Sequence, residues 1–484
     1  MKDKIKENGV VYTPDYVVRM ILDESGYDGE EILQKHVIDN SCGAGAFLKE
    51  IAHRYINSFF NAPENKDKND KLRAELQKYI HGIEIDEDAV EKCKQNLDAI
   101  ALSFGVKDIN WDIKQGDALK IDDFNNKMDY VFGNPPYVRV HNLKNNLETL
   151  KQNKFTKCGM TDLFISFYEI GINMLCETGK LAYITPSSIF NSVAGQQFRE
   201  YVISNKLLTS VIDFKHYQVF DKFTTFTAIL KLDKNNNDTK ANYFIFDKDN
   251  KKKNLIDILN YEDFCINKRW YFAKKEELNK LSEIVNFSAK STILDVKNGF
   301  ATLSDKIFIK EDFSFDSKFI HPIVKASTKK WRKVFFPYDE NGQIIDFSIF
   351  EKDLQDYLLK NQETLKNRSI SNENVWYEFG RSQGVKDFWK QKIAINNLIK
   401  EHKDIKLVAL KPGEGVFSGL YILTNINLNI IKDILRDQDF ISYVSMLGKY
   451  KNGGYFTYSS SDIKKYICYK LQKSKKLSKN IWEL

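Results

Sequence analysis

HVIDNSCGAGAFL, residues 36–48, is the stretch that decides the fold class of this 484-residue chain. It begins with a strand-like run, Gly43 and Gly45 then allow a tight turn, and the apolar residues after them suit a helix. A strand, a Gly-x-Gly turn and a helix are typical of an open α/β sheet. A dinucleotide-binding fingerprint needs a third glycine at position 48, where this chain has Leu48. The stretch therefore favours a cofactor without phosphates that carries an amino acid tail.

The same alternation continues through the N-terminal half, where short apolar runs are separated by amphipathic stretches. It predicts a Rossmann-like α/β sheet with its ligand at the carboxyl ends of the strands. A polar stretch at 233–240 predicts a linker, so we expect a catalytic domain at 1–233 and a separate α+β domain at 241–484. The predicted strands are His36–Asn40, Ile80–Ile85, Ile113–Gln115, Tyr130–Gly133, Lys180–Thr185, Ser210–Phe214 and Thr225–Leu232.

Charge divides the chain into an acidic and a basic half. Residues 1–233 carry 29 Lys and Arg against 34 Asp and Glu, whereas residues 234–484 carry 44 against 32. A basic half is typical of proteins that bind nucleic acid, although a solvated Lys-rich surface has the same composition. Six scattered cysteines and a polar N-terminus predict a cytoplasmic protein, and no apolar run is long enough to cross a bilayer.

The strongest chemical signal is DYVFGNPPY, residues 129–137. Pro135 and Pro136 fix φ and remove two backbone donors, so the carbonyls before them can act as acceptors. The amide oxygen of Asn134 and the carbonyl of Pro135 can together accept both hydrogens of an –NH2 group, which turns the nitrogen lone pair toward an electrophile. Tyr137 offers an aromatic face to a planar base. The turn therefore indicates alkylation of a planar amino group.

Two acidic residues follow later strands of the predicted sheet. Glu84 ends the second strand, where a carboxylate can accept from both hydroxyls of a ribose. Asp117 follows the third strand, where it could accept from an adenine amino group. Each is also an ordinary helix-cap position. Their order after the Gly-x-Gly turn favours a nucleoside ligand.

Taken in order, these motifs resemble those of the γ group of amino-methyltransferases, the TaqI-like N6-adenine DNA methyltransferases of restriction-modification systems. The resemblance covers the N-terminal half and begins at residues 9–14, which are similar to the motif that folds over the methionine part of the cofactor. It implies S-adenosylmethionine as cofactor, no metal, and double-stranded DNA as substrate. The residues it assigns to the cofactor are Tyr12, Thr13, Pro14, Asp39, Gly43, Gly45, Glu84, Ile85, Asp117, Ala118, Asn134 and Phe167.

The resemblance also implies how the methyl group is transferred. Adenine leaves the duplex and is methylated on N6 without a covalent enzyme intermediate. The catalytic residues it assigns are Asn134, Pro135, Pro136, Tyr137 and Phe220, with Phe223 as the alternative to Phe220 as the second stacking ring.

The C-terminal half matches the family's target-recognition domain more loosely, at residues 299–308, 376–381 and 453–455. Four alternatives stay open: a cytosine-N4, an RNA-adenine or a protein-glutamine methyltransferase, and a catalytically inactive DNA-binding protein. We expect a monomer without a membrane partner. Because the opening motif begins at residue 9, we also expect no nuclease domain in this chain. The sequence leaves open whether a separately encoded restriction endonuclease accompanies it.

Overall fold

The computed structural model describes residues 12–61, 65, 68–138, 153–156, 162–220, 225–288, 294–368 and 375–477. The chain divides into two compact units, residues 1–280 and 281–484. None of the helices in these described ranges is both long and apolar enough to span a bilayer.

The first unit is built on a nine-stranded sheet. Its strands are β1 (Val37–Asp39), β2 (Ile80–Glu84), β3 (Asp112–Gln115), β4 (Met128–Gly133), β5 (Leu175–Pro186), β6 (Leu208–Asp213), β7 (Thr227–Asp233), β8 (Lys240–Asp247) and β9 (Lys252–Asn260). They lie in the order β3-β2-β1-β4-β5-β7-β6-β8-β9. The first five are parallel, and β7 runs antiparallel to its neighbours β5 and β6. The carboxyl ends of β1 to β4 therefore meet at one edge of the sheet.

Helices connect the strands and cover the sheet. They are α1 (Asp15–Ser25), α2 (Ala46–Asn61), α3 (Asn69–Tyr79), α4 (Glu87–Ser103), α5 (Leu163–Met174), α6 (Gln196–Ser204) and α7 (Tyr261–Phe264), followed by the short strands β10 (Cys265–Ile266) and β11 (Arg269–Trp270). Helix α2 buries Phe47, Leu48, Ile51 and Tyr55, whose spacing gives one apolar face. That face packs into the core beside β1 and β2, which holds the preceding Gly-x-Gly turn against the sheet.

The predicted Rossmann-like fold is confirmed, and all seven predicted strands are present. The predicted linker at 233–240 is wrong, because Asp233 ends β7 and Lys240 already begins β8. Strands β8 and β9 extend the same sheet, with Ala241 and Tyr243 buried on one face of β8. The division between the units consequently lies at 280–281 and not at the predicted 233–241.

The second unit is an α+β domain, as the sequence predicted. Helix α8 (Lys275–Val285) spans the boundary between the units. The strands that follow are β12 (Leu294–Asn298), β13 (Ile309–Lys310), β14 (Ile320–Lys325), β15 (Lys330–Phe335), β16 (Lys392–Ile395), β17 (Leu398–Ile399), β18 (Leu407–Leu410), β19 (Gly415–Phe417), β20 (Leu420–Thr424), β21 (Tyr450–Lys451) and β22 (Tyr455–Thr457). They form three sheets, β12-β20-β16-β18, β13-β15-β14-β19 and β17-β22-β21.

The α-helices in the described part of the second unit, after α8, are α9 (Asp305–Phe308), α10 (Lys352–Lys360), α11 (Gln362–Lys366), α12 (Leu428–Arg436), α13 (Gln438–Met446) and α14 (Ser460–Leu477). The larger core of this unit is rich in phenylalanine. Its residues 281–484 carry 33 Lys and Arg against 24 Asp and Glu, so the basic character remains with the corrected boundary.

Candidate active site

One cavity of about 330 Å³ lies at the carboxyl ends of β1 to β4. Its volume is in the range of small-molecule and cofactor sites. The structure brings together in its lining most of the residues that the sequence assigned to a cofactor. The residues assigned to the cofactor that line it are Tyr12, Thr13, Asp39, Gly43, Glu84, Ile85, Asp117, Ala118, Asn134 and Phe167, and Pro136, which was assigned as catalytic, lines it as well.

Two residues assigned to the cofactor do not line this cavity. Pro14 precedes α1, and its carbonyl accepts from the backbone N–H groups of Val17 and Val18 at 2.9 and 3.2 Å. Gly45 has a φ of +85°, and a Cβ at this position would lie 2.8 Å from Sγ of Cys93. Both residues therefore shape the neighbouring backbone: Pro14 starts a helix, and Gly45 lets the turn approach α4.

Glu84 is fixed in place by three backbone donors. The N–H of Gly43 donates to its Oε2 at 2.8 Å, which joins the Gly-x-Gly turn to the end of β2. The N–H groups of Ile85 and Asp86 donate to its Oε1 at 2.8 and 3.0 Å. The carboxylate is thus held in one orientation at the cavity wall before any ligand enters.

Asp39, at the end of β1, is the most buried acidic residue of the cavity, with 1% of its surface exposed. Burial raises its pKa to about 8, the Ser41 amide that donates to it at 3.0 Å opposes this rise, and the charge of Glu84 adds to it. The backbone of Gly133 packs directly against the Asp39 side chain, because a Cβ at this position would lie 2.9 Å from Oδ1 of Asp39. No sequence motif had pointed to this role of Gly133.

Asp117 has both of the roles that the sequence left open, a helix cap and a ligand-binding carboxylate. Its Oδ1 accepts from the N–H of Leu119 at 3.0 Å and caps the short 3-10 helix Ala118–Lys120. The same residue lines the cavity at the end of β3. The cap fixes the carboxylate, and the strand places it at the ligand-binding edge.

The Asn134 side chain is oriented by Thr13. Its Nδ2 donates to Oγ1 of Thr13 at 3.1 Å, and Thr13 is itself 3% exposed. The hydroxyl of Ser41 donates to the Asn134 backbone carbonyl at 3.4 Å. Because the amide nitrogen is directed to Thr13, the amide presents its oxygen on the opposite side. The opening motif and the Asn-Pro-Pro-Tyr turn, 121 residues apart in sequence, therefore meet.

Tyr137 and Phe220 are neighbours but do not lie parallel. Their ring centroids are 6.1 Å apart with an interplanar angle of 66°, and neither ring lines the cavity. The Tyr137 hydroxyl donates to the carbonyl of Ile184 at 3.1 Å, and Phe220 is 3% exposed within the core. Phe223, the alternative to Phe220, lies outside the described residues.

Two lining residues, Asn96 and Lys49, belong to none of the predicted motifs. Asn96 of α4 donates from Nδ2 to the Ala44 carbonyl at 2.8 Å and fixes the Gly-x-Gly turn. Lys49 is the single Lys or Arg among the described lining residues, which include four acidic side chains: Asp39, Glu84, Asp86 and Asp117. Asn96 follows Ala44 by 52 residues, so no local pattern pointed to it.

The excess of acidic side chains over the one lysine distinguishes between ligand classes. Such a lining repels a pyrophosphate and attracts cationic groups, while fixed carboxylates at strand ends suit hydroxyl and amino donors. S-adenosylmethionine fits these residues, because it carries a sulfonium, an ammonium, two ribose hydroxyls and an adenine amino group.

Comparison with known proteins agrees with this fit. A family model described as the Eco57I restriction-modification methylase matches residues 58–220. The Type II restriction enzyme and methyltransferase RM.Eco57I of Escherichia coli is 25% identical, over 80% of this chain and 48% of its own length. The Type II methyltransferase M.BstVI of Geobacillus stearothermophilus is 23% identical, over 76% of this chain and 73% of its own length. This chain thus spans about half the length of RM.Eco57I.

A solved structure extends the likeness to most of the chain. The Type IIL restriction-modification enzyme MmeI, solved in complex with DNA, covers 95% of this chain and 68% of its own, with a TM-score of 0.68 and 14% identity. At that identity the likeness shows the fold alone. The family model and the Type II relatives confirm the resemblance to γ-group restriction-modification methyltransferases and S-adenosylmethionine as the cofactor.

Proposed function

We propose that this chain methylates N6 of adenine at a specific sequence in double-stranded DNA. The observation that carries the proposal is the position of the Asn-Pro-Pro-Tyr turn: Asn134 and Pro136 line the same cavity as the strand-end carboxylates. The group that acts on an amino nitrogen is therefore adjacent to the cofactor cavity.

Different residues of the cavity bind different groups of the cofactor. The fixed carboxylate of Glu84 accepts from the ribose hydroxyls, and Asp117 accepts from the adenine amino group of the cofactor. Asp39 faces the cationic end, and the buried ring of Phe167 packs against the cofactor adenine. When bound, S-adenosylmethionine supplies an electrophilic methyl group at the Asn134 end of the cavity.

The Asn-Pro-Pro-Tyr turn activates the target amino group. The oxygen of the Asn134 side chain and the carbonyl of Pro135 each accept one hydrogen of the adenine –NH2. These bonds withdraw the nitrogen lone pair from conjugation with the ring and orient it for in-line attack. The hydrogen bond from Asn134 to Thr13 keeps the amide in the orientation that this acceptor role needs.

Base flipping is part of this proposal, because a paired adenine cannot reach the turn. A base stacked between two parallel rings separates them by about 7 Å, twice the usual stacking distance of about 3.4 Å. Tyr137 and Phe220 are 6.1 Å apart and inclined by 66°, so at least one ring must rotate to receive the base. Stacking of about 1–3 kcal/mol per ring offsets the cost of unstacking the base from the duplex.

DNA is the substrate class that the relatives and the charge favour over a protein or RNA. The relatives' names describe Type II restriction and methyltransferase enzymes. The second unit, residues 281–484, carries the excess of Lys and Arg and is proposed to recognise the target sequence.

Long-read sequencing of DNA from a host that expresses this chain tests the proposal. We expect N6-methyladenine at one position of one short sequence, and no modification in a host that expresses Asn134→Ala. N4-methylcytosine would make the chain a cytosine enzyme. DNA without any modified base would contradict the proposed function.

A further inference from the structure

Leu303 in the second unit is unusual for a leucine in two respects. Its φ is +56°, in the left-handed region that side chains with a Cβ rarely adopt. It is also 48% exposed, so burial of the side chain does not account for the conformation. Residues held in such conformations cluster at functional sites, which makes this position a candidate for function.

The backbone on both sides of this leucine is held rigidly. Thr302 is fully buried, and its carbonyl accepts from Nη1 of Arg368 at 2.5 Å. The Thr302 hydroxyl donates to Oδ1 of Asp305 at 2.5 Å and accepts from the N–H of Ser304 at 3.1 Å. These bonds impose the unfavourable φ, so the exposed side chain is presented in one fixed position.

Gly380 forms the surface on which Leu303 lies. A Cβ at Gly380 would be 2.2 Å from Cδ1 of Leu303, so a side chain there would displace the leucine. The next residue, Arg381, pairs with Ala301 in an antiparallel bridge. Two segments that the sequence singled out without a role, residues 299–308 and 376–381, therefore meet at Leu303.

A basic hairpin leaves the sheet at the same edge as the segment that leads to Leu303. Phe417 of β19 pairs in parallel with Phe300 on one side and with Lys325, the last residue of β14, on the other. The chain that leads to Leu303 and the turn between β14 and β15 thus emerge at the same end, two strand spacings or about 10 Å apart.

Five exposed cations belong to the segments 299–308 and 376–381 and to the turn between β14 and β15. None of them has an ion pair with a carboxylate in the part of the chain that the structure describes. They are Lys306, Lys325, Lys329, Lys330 and Arg381. An exposed apolar side chain together with unpaired cations suits a polyanion that also has an apolar interior, which is the chemistry of a DNA duplex.

We propose that Leu303 is an apolar wedge that inserts between two base pairs of the bound duplex, while these cations hold the phosphates. The inference rests on the proposed function, because it requires duplex DNA as substrate. Inserted leucines unstack a base step and kink the duplex. A segment that hydrogen bonds already hold in place before binding loses little conformational freedom on insertion, which favours the bent complex.

The test compares Leu303→Asn with Leu359→Asn in the full chain. Leu359 of α10 is a matched control because it is also 48% exposed. Binding and bending are measured by energy transfer between dyes at the two ends of a duplex that carries the recognised sequence. We expect Leu303→Asn to lose roughly tenfold in affinity and most of the bend. Its melting temperature should not fall, because asparagine adopts the left-handed conformation more readily than leucine.

Three results would overturn the wedge. The first is that Leu303→Asn binds and bends DNA like the unmodified chain, or that the unmodified chain does not bend the duplex. The second is that Leu359→Asn loses affinity and bend to the same extent. The third is a melting temperature that falls together with binding, since that is the signature of a structural leucine. If the unmodified chain methylates no DNA, the proposed function fails and the wedge with it; if it methylates DNA and one of these results is found, only the wedge fails.

Discussion

The two ends of the active site differ: the end that binds the cofactor has a preformed cavity, whereas the end that receives the target base has none. At the cofactor end, Glu84 and Asp117 are fixed by backbone donors around an open cavity of about 330 Å³. At the base end, Tyr137 and Phe220 meet edge to face and leave no parallel slot for a base. A preformed cavity suits a ligand that is always present, whereas a closed ring pair suits one that must first leave its duplex.

This difference separates binding from transfer, and variants at the two ends should fail in different ways. Changes at the cofactor end should weaken cofactor binding first. Changes at the base end should leave cofactor binding intact and lower transfer to DNA. Pairs of variants, one at each end or one beside a matched control, test this separation.

Asn134→Ala has the largest expected effect. Methyl transfer should fall more than about 100-fold, because the substitution removes an acceptor aimed at the reacting nitrogen. Cofactor affinity, measured by calorimetry, should change less than about tenfold. Asn96→Ala is the contrasting variant: it frees the Ala44 carbonyl and should weaken cofactor binding by roughly fivefold. Retained transfer by Asn134→Ala in a tritiated-methyl assay would remove Asn134 from the chemistry.

Glu84→Gln should weaken cofactor binding by roughly 50-fold, because a neutral amide replaces a carboxylate that three backbone N–H groups hold. The control is Asp86→Asn. Asp86 also lines the cavity, but its Oδ1 accepts from the N–H of Ala89 as the cap of α4. We expect this control to bind cofactor within about threefold of the unmodified chain. Equal losses in the two variants would argue for a general charge effect and against a role specific to Glu84.

Phe220→Leu tests the closed ring pair. Both Phe220 and Phe214 are buried in the same core cluster, so leucine at either position should cost less than about 1.5 kcal/mol of stability. Only Phe220→Leu should lower kcat/KM for DNA, by roughly 20-fold, because it removes a stacking face. Phe214→Leu is the control for packing. If both variants lose the same activity, Phe220 is a core residue and the second stacking ring must lie elsewhere.

The smallest expected effect is a dependence of cofactor affinity on pH. Burial raises the pKa of Asp39 from 3.8 to about 8, so the free protein carries this group mostly protonated at pH 6–7. A cationic ligand favours the carboxylate, and affinity should rise by just under tenfold from pH 6 to pH 7 as the ionised fraction grows. Asp39→Asn should flatten the dependence. A titration that is flat in the unmodified chain would show that Asp39 does not face a cation.

The parts of the site that could be predicted are those set by local sequence. Glycines in a turn, carboxylates at strand ends and the Asn-Pro-Pro-Tyr motif each lie within a few residues of the strand that positions them. Asn96 and Gly133 were missed because their roles depend on Ala44 and Asp39, which lie far away in sequence.

The domain boundary was misplaced for a related reason. The polar turn at 234–239 has the composition of a linker, and only the pairing of β8 with β6 shows that the sheet continues past it. The positive φ of Leu303 also depends on distant contacts, since Arg368 holds the preceding carbonyl.

The most direct test of the central claim identifies the methylated nucleoside. Duplex DNA is incubated with the full chain and S-adenosylmethionine labelled in its methyl group, digested to nucleosides, and analysed by mass spectrometry. We predict that the label appears in N6-methyl-2′-deoxyadenosine from the duplex and is absent with Asn134→Ala. Label in N4-methyl-2′-deoxycytidine, or label that enters only RNA or protein, would contradict the proposed function.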